Sequence, residues 1–141
     1  MRILLLLIMF LALGRQTLLA QEGNAGDSSV SKGISLAPSR LKPLYGTASY
    51  YADKFVGRET TNGEIYSHKK MTAACNRLPL GTWIRVTNTR NNRVVIVKVN
   101  DRLHPLNKRL VDLSHIAAER LGYIGSGLTQ VKVEVLLKKR S

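Results

Sequence analysis

Thr82-Trp83-Ile84-Arg85-Val86-Thr87-Asn88, a turn through Asn91-Asn92, and Arg93-Val94-Val95-Ile96-Val97-Lys98-Val99 make up the stretch that decides the fold. In the first run apolar Ile84 and Val86 alternate with polar Arg85 and Thr87, the period of a half-buried strand. Asn91 and Asn92 tolerate positive φ and suit a tight turn. The β-branched return run predicts a strand buried over part of both faces. Residues 82–99 therefore read as a hairpin. Its second arm runs on into Asn100-Asp101-Arg102. A carboxylate where a buried strand emerges is held rigidly and partly desolvated, conditions that tune an acid for proton transfer near neutral pH. The other reading of Asp101 is a turn cap paired with Arg102, because Asn-Asp at a strand end is common turn chemistry.

Working outward, Thr47-Ala48-Ser49-Tyr50-Tyr51 is a first strand, and Gln130 to Leu136 a last one with Val131, Val133 and Val135 on one face. Residues 112–122 predict a short helix with Ser114 as N-cap, a stripe of Ile116, Ala117 and Leu121, and Gly122 as its stop. A strand-dominated domain with a short helix points to a compact, mostly β barrel.

A second carboxylate, Glu64, follows the turn Asn62-Gly63. It is either a partner of Asp101 or a surface Glu; the distance along the chain does not choose. Cys75 is the single cysteine. It reads first as a small buried hydrophobe, and no thiol-protease signature surrounds it. His68, His104 and His115 lack the paired spacing of a zinc site, so neither a metal nor another cofactor is expected. No nucleophile elbow, P-loop or dinucleotide fingerprint is present.

The 141 residues suit one folded domain. Arg2 followed by the apolar run Ile3 to Leu13 reads as a secretory signal peptide over residues 1–20. Residues 21–43 are rich in Gly, Ser, Asn and Asp and read as a linker. The folded domain is expected over 44–137, with a basic tail at 138–141. The expected product is exported, periplasmic or secreted, and not lipid-anchored, since no cysteine follows the apolar run. A lone cysteine leaves no internal disulfide. The formal charge is +13, and removing residues 1–20 takes away Arg2 and Arg15 and no acid, leaving +11. Such a charge draws an exported protein to polyanions, cell-wall polymers among them. With one Trp, two Phe and five Tyr, no stacking platform for nucleic acid is evident.

The order of motifs carries more than any one of them. Gly46-Thr47-Ala48-Ser49-Tyr50-Tyr51, Phe55-x-Gly57, Thr61-Asn62-Gly63-Glu64-x-Tyr66, Thr72-Ala73-Ala74, Leu78-Pro79-x-Gly81-Thr82, Val86-Thr87-Asn88, Val97-x-Val99-Asn100-Asp101-Arg102 and Asp112-Leu113-Ser114 follow one another. This series resembles the rare lipoprotein A (RlpA-like) family over roughly residues 45–136. The resemblance implies a small six-stranded double-psi β-barrel with one or two short helices, and endolytic lytic transglycosylase activity on peptidoglycan. It implies Asp101 as catalytic acid/base and Glu64 as its partner, with Tyr51, Cys75, Asn100, Arg102 and His104 shaping the site or binding substrate. Peptidoglycan glycan strands are the expected partner; nucleic acid and stable membrane insertion are not, and a monomer is expected. The chain departs from the family pattern at three places. Cys75 stands where the family has histidine, Leu103-His104-Pro105 replaces Gly-Pro, and Ala52 follows Tyr51 where the family has glycine. Cys75 favours an alternative, an expansin-like barrel that holds glycan without cleaving it, while intact Glu64 and Asp101 favour the enzyme. His104, close to Asp101 in sequence, is the candidate for a replacement imidazole.

Overall fold

The computed structural model describes residues 35–139. The expected signal peptide and residues 21–34 of the linker lie outside the described residues. Seven strands follow in order: β1 (Leu36–Pro38), β2 (Leu44–Tyr50), β3 (Thr72–Ala74), β4 (Trp83–Asn88), β5 (Val94–Asp101), β6 (Val111–Leu113) and β7 (Thr129–Lys138). Helix α1 (His115–Leu121) precedes β7, and a 3-10 turn spans Asp53–Phe55.

Six of these strands close on themselves. β7, β2, β6, β3, β5 and β4 are hydrogen-bonded in that order, and β4 pairs back onto β7. Closure leaves the ring without a free edge. Two pairs, β2–β6 and β3–β5, are parallel, which requires the chain to cross over the barrel between them. This is the six-stranded double-psi barrel that the motif order implies. Ile84 and Val86 of β4, Val95, Val97 and Val99 of β5, and Val131 and Val133 of β7 fill its interior.

The hairpin forms with Thr87 opposite Val94. Its connection is wider than the expected tight turn: Asn91 and Asn92 N–H both donate to the Asn88 carbonyl, and Asn92 adopts φ 60°. β5 alternates buried Val95 and Val97 with half-buried Ile96 and Lys98, so one face is buried and the other partly so. Asn88 is buried yet satisfied. Its amide donates to the Leu121 carbonyl (2.9 Å) and its Oδ1 accepts from the Thr129 hydroxyl (2.9 Å), which ties the hairpin to the end of α1.

Three expectations need correction. The linker contains β1, which pairs antiparallel with the far end of β7 as Leu36 with Lys138 and Pro38 with Leu136. Three residues carry too little pattern to betray a strand whose partner is supplied by an unusually long β7. The helix begins at His115, because Asp112 and Leu113 belong to β6, where they pair with Ala74 and Ala73 of β3. Ser114 occupies the N-cap position, but its buried hydroxyl makes no hydrogen bond. The segment 66–68 caps the helix instead: the Tyr66 hydroxyl accepts the His115 N–H (3.2 Å) and the His68 carbonyl accepts the Ile116 N–H (3.0 Å). Gly122 does end the helix, at φ 77°.

Candidate active site

β5 breaks its alternation where it matters. Along β3 it pairs Val99 with Ala73 but Asp101 with Ala74, so one step on β3 faces two on β5. Asn100 is the extra residue of a β-bulge, a device that re-aims side chains. Val99 stays in the barrel core, while Asn100 and Asp101 both engage residues 60–64.

Asp101 is partly buried and heavily bonded. Its Oδ1 accepts from the Thr61 N–H (3.0 Å), the Thr61 hydroxyl (2.7 Å) and the Arg102 N–H (2.9 Å). Its Oδ2 accepts from the Tyr51 hydroxyl (2.7 Å). Burial pushes the Asp101 carboxyl up, but the four donors together outweigh it, and the net direction is down. Asp101 is therefore ionised at neutral pH, which corrects the expectation of an acid tuned near pH 7. Desolvation alone would have raised it; donors from a distant loop reverse the sign. Oδ2, with one donor against three on Oδ1, is the oxygen with room for a proton or a ligand hydroxyl. Burial, and then the Asp101 carboxylate it bonds, hold the Tyr51 phenol above its ordinary value, so it remains a neutral donor.

Glu64 hangs on the other residue of the bulge. Its Oε1 accepts from the Asn62 amide (2.7 Å) and lies 3.6 Å from Lys98 Nζ. Its Oε2 takes a long bond from the Asn100 amide (3.4 Å). The Asn62 bond is the largest influence and lowers its pKa, with burial opposing and Asn100 and Lys98 assisting. The Asn62 N–H also donates to the Asn100 carbonyl (3.2 Å), so the bulge and the loop are clamped together.

An open cleft of about 210 Å³ adjoins Asp101, lined by Tyr51, Phe55, Arg58, Glu59, Thr60 and Tyr66. The Tyr51 and Tyr66 rings stack with centroids 4.1 Å apart and planes 18° apart. Phe55 packs edge-on against Tyr51 at 5.7 Å, and Lys54 and Arg58 flank the Phe55 ring at 5.3 and 5.5 Å. A half-buried Phe55 ring beside hydrogen-bonding groups suits a polyhydroxylated chain. Among the described residues, no three His, Cys, Asp or Glu side chains converge to hold a metal ion.

Residues 44–133 match the family model described as lytic transglycolase, a range that takes in five of the barrel strands and the first half of β7. The chain belongs to the RlpA-like lytic transglycolase family. Its relatives include the endolytic peptidoglycan transglycosylase RlpA of Haemophilus influenzae, 46% identical over 111 residues, which are 79% of this chain and 38% of the relative. A probable endolytic peptidoglycan transglycosylase RlpA of a Nostoc species is 52% identical over 103 residues, 72% of this chain and 28% of the relative. The chain thus matches well under half the length of these relatives. Among solved structures, Streptomyces papain inhibitor is 21% identical with a TM-score of 0.55, over 69% of this chain and 96% of that one. Clavibacter michiganensis expansin is 19% identical with a TM-score of 0.54, over 71% and 53%. These two share the barrel.

In this RlpA-like barrel the remaining expected site residues take different places. The Arg102 guanidinium does not pair with Asp101; its Nη1 donates to the Cys75 and Leu78 carbonyls, the latter at 2.7 Å. Cys75 is fully buried in the barrel core. Only its backbone serves the site, its N–H donating to the Asp101 carbonyl (3.1 Å). His104 is exposed, and its Nδ1 accepts the Leu106 N–H (3.2 Å) within a local turn. Its ring bonds neither carboxylate. Thr61, Phe55, Arg58 and Tyr66 are the site residues that sequence reasoning passed over. Thr61 and Tyr66 stood inside a motif already singled out for Glu64, and Phe55 inside the motif Phe55-x-Gly57; nothing marked Arg58.

Proposed function

We propose that this chain is an endolytic lytic transglycosylase of peptidoglycan, with Asp101 as the proton-transfer group. One observation carries the reading. Asp101, fixed by four hydrogen bonds, borders the cleft with Oδ2 as its under-used oxygen. Support comes from relatives whose matched region includes this constellation and which are named as endolytic peptidoglycan transglycosylases.

The chemistry runs through that oxygen. A glycan strand settling over the cleft removes water from Asp101, extending the desolvation that already opposes its ionisation, and Oδ2 takes up a proton from the solvent. That proton passes to the glycosidic oxygen of the leaving sugar as the bond breaks. The carboxylate thus regenerated accepts the proton of the C6 hydroxyl on the same muramoyl sugar, which closes on C1 and leaves an anhydro end. No water enters the products. Tyr51 and Thr61 keep Asp101 in place throughout, and Glu64 holds the loop that carries Thr61. The same reading places the protein outside the cytoplasm as a monomer, checked by cell fractionation and size-exclusion chromatography.

Rates on peptide-free glycan strands test the assignment of roles. Asp101→Asn is expected to lower kcat by roughly 10²- to 10⁴-fold, the range for one positioned acid/base. Glu64→Gln is expected to cost less, because its amide still accepts from Asn62. Equal losses in the two variants would contradict the division of roles. A second reading, a barrel that binds glycan without cleaving it, is favoured by the four donors that hold Asp101 ionised. Tight binding by a wild-type protein that forms no product would establish it.

A further inference from the structure

We propose that His68 is a positioning residue of this site: it accepts the Tyr66 hydroxyl proton and so holds the tyrosine stack that presents Tyr51 to Asp101. For a neutral imidazole the hydrogen-bond senses follow from its partners. His68 Nε2 lies 2.8 Å from Asp53 Oδ1. An ionised carboxylate only accepts, so Nε2 carries the proton. The neutral ring then leaves Nδ1 bare, 2.8 Å from the Tyr66 hydroxyl, and that hydroxyl must donate. Its oxygen meanwhile accepts the His115 N–H (3.2 Å). The phenol of Tyr66 is thus held from two sides by bonds of opposite sense.

The effect reaches Asp101 through one contact. Tyr66 is almost fully buried and lies flat on Tyr51, whose hydroxyl bonds Oδ2, the oxygen with room for a proton. A tilt of Tyr66 moves Tyr51, and small displacements of groups around a reacting atom are costly. His68 is itself anchored, because its carbonyl takes the Ile116 N–H at the start of α1 and its ring meets that of His115 at 5.0 Å. Asp53 matters less. Its side chain is 97% exposed, and exposed pairs of this kind contribute little.

Titration of the Asp101 side-chain carboxyl by carbon-13 NMR tests this without any substrate. His68→Leu and Tyr66→Phe are expected to loosen the Tyr51 bond and raise the Asp101 midpoint by roughly half a pH unit. His68→Asn keeps an acceptor oxygen near the place of Nδ1 and is expected to stay at the wild-type midpoint, as is Asp53→Asn. An unchanged midpoint in folded His68→Leu overturns the proposal. So do equal shifts in His68→Leu and His68→Asn, which would mean general packing. If His68→Leu does not fold, Tyr66→Phe decides alone. A kinetic arm rests on the proposed glycan reaction: His68→Leu should lower kcat about tenfold with KM little changed, and His68→Asn should restore it. An inactive wild type removes only this arm and counts against the glycan reaction, while the titration still decides the role of His68.

Discussion

Asp101 is subject to opposite pH demands. Folding lowers its pKa and that of Glu64. Each therefore contributes stability that is present above its unfolded value, near 4 for an ordinary carboxylate, and is lost as pH falls through the lower folded value. Proton donation runs the other way, since the free protein carries more protonated Asp101 as pH falls. Melts followed by circular dichroism should show Tm dropping below about pH 4. Over the stable range, kcat/KM should rise from pH 8 toward pH 5. A rate that climbs instead with pH would assign Asp101 to base chemistry alone. Cys75 gives a second expectation. Its thiol lies in the core, so Cys75→Ala should cost about 1–2 kcal/mol of stability and leave kcat nearly unaltered. Loss of kcat in the folded variant would show that the thiol acts in the reaction. Glu64, Asn100, Asp101 and Tyr51 were legible as one neighbourhood from the order of their motifs. The ionisation of Asp101 was not, because it depends on Thr61 and Tyr51, which lie 40 and 50 residues away along the chain.

The hairpin of β4 and β5 was legible because two facing strands each carry their own period. The bulge at Asn100 was not. It arises from the parallel partner β3, and the residues Val99-Asn100-Asp101 show no sign of the missing step. β1 and β6 were missed or misread for a related reason: three-residue strands exist through their neighbours. Gly46 shows how closely such neighbours approach. A Cβ there would lie 2.7 Å from Leu110 Cβ, at the end of the loop after Asp101. Gly46→Ala should destabilise by about 1–3 kcal/mol through overpacking, read as a fall in Tm. A neutral substitution would mean that this loop gives way freely.

At the scale of the whole chain, a closed barrel converts scattered motifs into one cleft. The strand ring brings the end of β2, the loop 60–66 and the end of β5 to the same place, though they lie up to 50 residues apart in sequence. The barrel was legible from alternating strands and ordered motifs; the aromatic lining of the cleft was not, because stacking of Tyr51 on Tyr66 is decided by closure. The products of one reaction decide whether Asp101 cleaves glycan. The protein should be incubated with peptide-free glycan strands and the fragments weighed by mass spectrometry. Fragments with anhydro ends from the wild type, and a roughly hundredfold or greater loss in Asp101→Asn, are the expected result. Hydrated ends, no fragments from a folded wild type that binds the strands, or equal yield from Asp101→Asn would contradict it.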